Sequence, residues 1–269
     1  MRLALLGEVL GHSLSPVIHH KLFEIEHIDS SYELEEIARP VFDSELRHAL
    51  KTFDGMNVTI PYKVDVIPYL DELSPEAKTI GAVNTIAKKE GKLIGYNTDY
   101  TGFQRTLTLI GAEVSGKPTV VLGHGGASRA VIQCLFDEKA SSITVISRHP
   151  DKVDEEFLAF AKARNVEIKG YDSLTRSGDK YLLVNATPVG MYPKVGVSPI
   201  SPEVAETFPK VIDIIYNPEE TKLLHDAKKA DKSNGMYMLV MQAMAAEEIW
   251  MDREIPAETA ARIAKDMMK

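Results

Sequence analysis

The stretch Thr119 to Phe136, TVVLGHGGASRAVIQCLF, joins a short apolar run, closely spaced glycines and a segment of helical periodicity. This order predicts a strand, a tight turn and a helix start, the unit that holds a pyrophosphate in Rossmann-type folds. Gly123 would permit the sharp turn, Gly125 would let backbone N–H groups approach the phosphates, and the helix would begin near Ala127. At the third fingerprint position, the hydroxymethyl group of Ser128 must fit where strand and helix pack closely. On spacing alone, a purely structural strand–helix turn is the alternative.

Composition sets the broad class of the protein. The chain has 269 residues, of which 44% are hydrophobic and 26% charged, which is enough for two modest, well-cored domains. The net charge of -8, without long blocks of one sign, argues against nucleic acid as a partner. The N-terminal stretch has neither a cleavage site nor a membrane-spanning apolar run, so we expect a cytoplasmic protein with no membrane partner. The single cysteine, Cys134, excludes a disulfide framework and is expected to be a small buried residue.

The chain before the glycine loop alternates strand and helix patterns, which favours an α/β domain with a mostly parallel sheet. Strands are predicted over 2–6, 31–36 and 55–59, and helices over 16–27 and 41–53. Ser15 is expected to cap the first helix, with Pro16 as its first residue. Two β-rich runs joined at Glu90-Gly91 predict a hairpin at a sheet edge, and a helix over 100–110 follows.

The glycine loop opens a second alternating series, which is typical of a Rossmann-type domain. Strands are predicted over 119–122, 142–147, near 166, 180–185 and 210–215, and helices over 127–137 and 150–164. The proline-rich stretch 188–209 predicts an irregular loop. A helix from about 221, a turn at Asn234-Gly235, a methionine-rich helix over 238–250 and a last helix over 257–269 complete the chain. We expect a first domain of residues 1–100 completed by helices in 236–269, a Rossmann domain of residues 101–235, and a cleft between them.

Several polar residues stand where predicted strands end or helices begin, which is where the crevice of an α/β fold opens. They are Ser13 with Ser15, Thr59 with Lys63, Asn84, and Asn97 with Asp99. Taken singly, each of these residues is better explained by a structural role, Ser15 and Asp99 as helix caps. Together the group offers hydroxyls and a helix N-terminus for a carboxylate, amides for ring hydroxyls, and one ammonium beside one carboxylate. Such a set suits a small polyhydroxylated acid.

A series of motifs runs through nearly the whole chain in order. They are SLSP at 13–16, NVTIPYK at 57–63, GAVNT at 81–85, GYNTD at 95–99, GHGGASRA at 123–130, NATPVGM at 185–191, DIIYNP at 213–218 and GMYMLVMQA at 235–243. Together they resemble the shikimate dehydrogenase family. The resemblance implies reversible, NADP-linked reduction of 3-dehydroshikimate to shikimate in aromatic amino-acid (chorismate) biosynthesis.

The resemblance also implies roles for individual residues. Lys63 would be the general acid and base, with Asp99 beside it. The substrate-binding set would be Ser13, Ser15, Thr59, Lys63, Asn84, Asp99, Tyr216 and Gln242. The cofactor-binding set would be Gly123, His124, Gly125, Gly126, Ala127, Ser128, Ser147, Arg148, Lys152, Thr187, Ile214 and Gly235, with Ile214 and Gly235 at the nicotinamide end. An ammonium beside a carboxylate suits this chemistry, because reduction of a ketone develops alkoxide charge that a proton donor relieves.

The chain departs from the family pattern near the predicted cofactor. His124 stands where alanine is common, and Ser147-Arg148-His149 replaces the usual Asn-Arg-Thr. Arg148 is retained and Lys152 follows, while no Asp or Glu ends that strand to hold the ribose 2′-hydroxyl of NAD. We therefore expect NADP(H).

Two other functions stay open at this point. One is a quinate/shikimate or related dehydrogenase with relaxed substrate or NAD use. The other is a catalytically silent dinucleotide-binding sensor on the same fold. No metal is expected, because the spacing of the histidines does not suggest a metal cluster and the reaction needs none; His12, His19, His20 and His124 are predicted to be surface or packing residues. The methionines near 236–244 are expected to fill the core, and the assembly to be a monomer or homodimer.

Overall fold

The computed structural model describes residues 1–268, and these fall into two compact units. The first unit contains residues 1–102 and 240–267, and the second contains residues 103–239 together with Met268. Each unit is described by itself below. Lys269, the end of the predicted last helix, lies outside the described residues.

The first unit is built on a six-stranded sheet with the order β2-β1-β3-β5-β6-β4. Its strands are β1 (Arg2–Gly7), β2 (Ser31–Glu36), β3 (Gly55–Val58), β4 (Glu72–Leu73), β5 (Thr85–Lys89) and β6 (Lys92–Tyr96). The strand β1 pairs in parallel with β2 and β3, whereas β5 runs antiparallel to β3 and β6. The hairpin at Glu90-Gly91 is therefore confirmed, and both turn residues have the positive φ of 52° and 79° that such a tight turn requires. Its predicted place at the sheet edge is wrong, because the short strand β4 covers β6.

The second unit has an all-parallel sheet with the order β12-β11-β10-β7-β8-β9, as a Rossmann-type fold requires. Its strands are β7 (Pro118–Leu122), β8 (Ser142–Ile146), β9 (Glu167–Lys169), β10 (Leu182–Asn185), β11 (Lys210–Asp213) and β12 (Asp231–Ser233). Sequence reasoning missed β12, which reads as a polar turn segment and becomes a strand by pairing with β11. The stretch 188–209 is largely irregular, as predicted, apart from the short helix Pro202–Ala205.

The helices are α1 (Ser15–Glu26), α2 (Phe42–Thr52), α3 (Pro75–Ile80), α4 (Thr98–Leu109), α5 (Gly126–Asp137), α6 (Glu155–Lys162), α7 (Pro202–Ala205), α8 (Lys222–Asp226), α9 (Gly235–Met251) and α10 (Ala257–Met267). The predicted helix over 150–164 is shorter, because a 3₁₀ turn precedes it and Asp154 then caps α6 by accepting from the N–H of Phe157. The expected cap at Ser15 is wrong: Leu14 precedes the helix, and Ser15 is its first residue.

Apolar helix residues are buried in the cores, and on α9 the buried residues lie around nearly the whole helix. The helix α9 carries a buried methionine row, Met236, Met238, Met241 and Met244, which fills the cores as predicted. Cys134 on α5 is completely buried among apolar neighbours, and burial raises the pKa of its thiol far above the ordinary value. No helix within residues 1–268 is both long and apolar enough to cross a membrane.

Candidate active site

Lys63 and Asp99, both predicted as catalytic residues, form an ion pair in the first unit. The Lys63 Nζ atom lies 2.6 Å from Asp99 Oδ2, and 24% and 17% of the two side chains are exposed. Asp99 is in the first turn of α4, but it is not the cap, because the Asn97 side chain accepts from the N–H of Tyr100. The two charges are therefore partly shielded from water while each keeps an open side. Asp99 therefore does not serve merely as the N-terminal cap of α4.

Asn84 is held against Thr98, the residue that precedes Asp99. Its Oδ1 accepts from the Thr98 N–H at 2.6 Å, and its Nδ2 donates to the Thr98 hydroxyl at 3.1 Å. The backbone donor identifies which end of the amide is the oxygen. The Thr98 hydroxyl also lies 3.4 Å from Gln242 Oε1 on α9. The side-chain amides of Asn84 and Gln242, both predicted from the sequence, therefore contact the same hydroxyl. The second hydrogen of Asn84 Nδ2 has no acceptor within residues 1–268.

A second row of buried polar residues supports these amides, and sequence reasoning did not single it out. Asn57 Nδ2 donates to Thr85 Oγ1 at 3.0 Å, and the Thr85 hydroxyl reaches Asn84 Oδ1 at 3.2 Å. Tyr32 donates its hydroxyl to Asn57 Oδ1 at 2.7 Å. The signal was present, since Asn57 and Thr85 lie inside the motifs NVTIPYK and GAVNT at buried positions.

The predicted hydroxyls lie at the carboxyl ends of neighbouring strands. The loop after β1 turns at Leu10, whose carbonyl accepts from the Ser13 N–H, and Ser13 Oγ accepts from the N–H of Ser15. Thr59 directly follows β3, which is paired with β1 through the register Leu6↔Val58. Parallel strands end at the same edge, so these hydroxyls face one end of the sheet. The remaining predicted substrate residue, Tyr216, lies in the second unit after β11 and is partly buried.

The glycine loop of the second unit has the expected local geometry. Gly123 has a φ of +92°, and a Cβ there would come within 2.8 Å of Thr187 Cγ2. A Cβ at Gly125 or Gly126 would meet no atom within 4 Å, so open space lies in front of the N-terminus of α5. Ser128 fits because its hydroxyl donates to the Gly125 carbonyl at 2.5 Å. This loop has the shape and the free backbone donors that a pyrophosphate needs.

A cavity of about 690 Å³ opens beside this loop. Seven predicted cofactor residues line it, namely Gly123, His124, Gly125, Ser147, Arg148, Lys152 and Thr187. Other lining residues were not in the predicted set, including His149, Tyr171 and Lys194. Gly126, Ala127, Ser128, Ile214 and Gly235 are absent from the lining. Among the described residues that line the cavity there is no carboxylate, whereas Arg148, Lys152 and Lys194 are cationic. The lining thus favours an anionic ligand.

Buried hydrogen bonds fix the loops around this cavity. Asn185 and Asp213 are neighbours in register on β10 and β11, and the Asn185 amide donates to Asp213 Oδ1 at 3.0 Å. Asn185 Oδ1 accepts from the Thr187 N–H and hydroxyl, which shapes the turn after β10. Desolvation raises the pKa of Asp213 to about 6, although hydrogen bonds from Thr221, the Ile215 N–H and Asn185 oppose the rise.

The start of α9 is closely packed against the end of β11. A Cβ on Gly235 would lie 2.0 Å from the Ile214 carbonyl oxygen, so no other residue fits there without displacing backbone. The structure therefore brings Ile214 and Gly235 into contact with each other.

The fold and these sites define the class of the protein: an α/β oxidoreductase-type chain that has a Rossmann dinucleotide unit and a second α/β unit with a polar site. Comparison with known proteins narrows the class. The family model "Shikimate dehydrogenase substrate binding domain" matches residues 5–86. Shikimate dehydrogenase (NADP(+)) of Clostridium perfringens is 42% identical over 98% of this chain and 97% of its own length. The chain therefore belongs to the shikimate dehydrogenase family.

Solved structures agree with this assignment. A chorismate mutase/shikimate 5-dehydrogenase fusion protein from Clostridium acetobutylicum aligns with a TM-score of 0.90 and 40% identity, covering 99% of this chain and 96% of the other. Shikimate 5-dehydrogenase from Thermus thermophilus, solved with NADP(H) and shikimate, aligns with a TM-score of 0.85 and 33% identity, covering 99% of each chain. The similarity thus covers both units.

Proposed function

We propose that this protein catalyses the reversible, NADPH-dependent reduction of 3-dehydroshikimate to shikimate, with the first unit binding substrate and the second binding the dinucleotide. The observation that carries the proposal is the Lys63–Asp99 pair at 2.6 Å beside the amide of Asn84, which shares Thr98 with Gln242. A binding protein for nucleotide alone has no need of this proton donor. The family relationship supplies the substrate class.

Lys63 would carry the proton chemistry. The bound NADPH supplies a hydride to the ketone carbon, so negative charge grows on the carbonyl oxygen. The Lys63 ammonium stabilises that charge and donates a proton to the oxygen, and in the reverse direction the neutral amine takes the proton back. Asp99 would hold the ammonium in place through the 2.6 Å contact between its Oδ2 atom and Lys63 Nζ.

The other polar residues would position the substrate. Ser13 and Ser15, near the start of α1, offer hydroxyls to the carboxylate. The amide donors of Asn84 and Gln242, together with Thr59 and the Asp99 carboxylate, would meet the ring hydroxyls. Tyr216 is assigned to the substrate by family resemblance. A ligand with one carboxylate and several hydroxyls matches this arrangement.

The cavity of the second unit fits NADP(H) better than NAD(H). The open space before Gly125 and Gly126 accepts a pyrophosphate, and the absence of a carboxylate from the described lining removes the group that would hold a free 2′-hydroxyl. Arg148 and Lys152 would instead meet a 2′-phosphate. The proposal includes a cytoplasmic location and a monomeric or homodimeric assembly.

A spectrophotometric assay tests the proposal. Purified protein should reduce NADP+ with shikimate, and should do so much more slowly with quinate or with NAD+. Equal efficiencies for shikimate and quinate would instead favour the relaxed quinate/shikimate dehydrogenase. Binding of nucleotide without any turnover would favour the silent sensor.

A matched pair of variants separates chemistry from folding. Asp99→Asn should lower kcat and raise KM together, because the carboxylate holds Lys63 and would also bind a hydroxyl. Lys89→Ala is the control, since it removes an ion pair with Asp252 on the same unit at 3.3 Å without touching the site. The control should keep wild-type kinetics.

A further inference from the structure

A buried hydrogen bond between two titratable side chains links two distant parts of the first unit. His19 on α1 and Glu247 on α9 approach to 2.5 Å between Nδ1 and Oε1, and neither side chain is exposed. The carboxylate accepts from the ring N–H. The second polar atom of each group, His19 Nε2 and Glu247 Oε2, makes no hydrogen bond within the described part of the chain.

Stability alone does not account for this pair. Removing two polar side chains from water is costly, and apolar side chains of similar volume often stabilise a core as well or better. Each of the two unpaired atoms adds the desolvation cost of a buried polar group that lacks a partner. An apolar pair would pack α9 against α1 at a smaller free-energy cost, so packing alone does not explain why the polar pair is present.

On α1, the pair holds the turn that carries Ser15. His19 lies four residues after Ser15, so the two side chains share one face of the helix. The imidazole stacks on the Tyr32 ring with 3.9 Å between ring centres and 10° between planes. Burial raises the pKa of Tyr32, and the nearby Ser15 side chain opposes that rise, which places Ser15 beside the Tyr32 hydroxyl. The orientation of the His19 ring therefore influences the positions of the Tyr32 and Ser15 hydroxyls.

On α9, the same pair holds the turn that carries Gln242. Tyr32 continues the chain of contacts through Asn57, Thr85 and Thr98, which ends at Gln242 Oε1. This chain of contacts therefore joins α9 at two residues, Glu247 and Gln242, which are five positions apart. Two attachment points fix both the rotation of α9 about its axis and its distance from the sheet between Gln242 and Glu247.

We propose that His19 and Glu247 are positioning residues for substrate binding, which set Ser15 and Gln242 at the spacing that the carboxylate and ring hydroxyls require. The inference rests on the proposed function, because it takes Ser15 and Gln242 as substrate ligands. Neither His19 nor Glu247 touches the reacting atoms. Their loss should weaken substrate binding far more than it slows the chemical step.

The test replaces the pair by apolar residues of similar volume, His19→Phe with Glu247→Met. The double variant should fold, raise KM for shikimate about tenfold, and leave kcat and KM for NADP+ within about threefold of wild type. Glu247→Gln keeps an oxygen that can accept from His19, and should hold KM for shikimate within about threefold. If the double variant does not fold, Glu247→Met alone carries the same expectation.

Thr259→Val is the matched control. It removes a 2.7 Å hydrogen bond from Thr259 on α10 to Glu26 in the last turn of α1, far along the helix from Ser15. This control should lose stability without changing KM for shikimate.

Distinct outcomes overturn the inference. A folded double variant with wild-type KM for shikimate shows that the pair only packs. Equal rises in KM for shikimate and for NADP+ in the double variant, or the same rise in KM for shikimate in Thr259→Val, would show general loosening of the fold. The same rise in Glu247→Gln would show an effect of the lost charge. If the wild type itself does not turn over shikimate, the proposed function fails and the inference falls with it.

Discussion

Replacing Asp213 by asparagine should stabilise the protein increasingly as pH rises from 4.5 to 7.5. Asp213 has no exposed surface, and burial raises its pKa from the ordinary 3.8 to about 6. The folded protein therefore binds the proton more tightly than the unfolded chain. Stability contributed by this carboxyl is fully present below pH 3.8 and is lost as the pH rises through 6.

The size of the effect follows from the rise in pKa. Each pK unit is worth about 1.4 kcal/mol, so the ionised carboxylate costs about 3 kcal/mol at pH 7.5, and about 2 kcal/mol of this develops between pH 4.5 and 7.5. Asparagine stays neutral and keeps an oxygen for the donors from Asn185 and Ile215. Its amide meets Thr221, whose hydroxyl can also accept.

Urea unfolding of both proteins, followed by circular dichroism across this pH range, measures the effect. The free energy of unfolding of Asp213→Asn minus that of wild type should rise by about 2 kcal/mol from pH 4.5 to 7.5, with equal slopes against urea. Thr221→Val removes a donor to the ionised carboxylate, so its deficit against wild type should grow over the same range. A difference between Asp213→Asn and wild type that does not change with pH would refute the reasoning.

Four further outcomes are expected. Lys63→Ala should lower kcat about 10²–10⁴-fold with a smaller effect on KM; near-normal kcat would mean that the proton comes from elsewhere. Arg148→Ala should lower kcat/KM about tenfold to a hundredfold with NADPH and little with NADH, because a charge-assisted hydrogen bond is worth about 1.5–3 kcal/mol; an unchanged ratio between the cofactors would leave Arg148 outside cofactor choice. Gly235→Ala should lower the melting temperature, since its Cβ would sit 2.0 Å from the Ile214 carbonyl oxygen; a wild-type melting curve would contradict that packing. Cys134 should react with an aromatic disulfide reagent only after unfolding, because burial keeps it as a thiol; rapid reaction of the folded protein would contradict this.

Local features of the fold were predictable because their causes are local. The run from Thr119 to Phe136 predicted a strand, a turn and a helix, since a positive φ at Gly123 and the helical periodicity that follows depend only on neighbouring residues. The hairpin at Glu90-Gly91 was predictable for the same reason. The strand β12 was not, because its polar residues pair only where β11 offers an open edge.

The helix caps show how local competition misled the prediction. Ser15 follows a typical capping pattern, yet it is the first residue of α1, and its N–H donates to the Ser13 side chain. Asp99 was an equally good cap by type, but Asn97 occupies that position and leaves Asp99 to pair with Lys63. Several residues near each helix start could cap it, and tertiary contacts decided which did.

The sequence by itself determined the fold class, the glycine loop, the family and the residue types of the candidate site, because each of these is written in short motifs. Only the tertiary structure decided which polar groups meet. Lys63 and Asp99 are 36 residues apart, and His19 and Glu247 are 228 apart. Contacts at such separations depend on how strands and helices pack, and no local pattern carries that information.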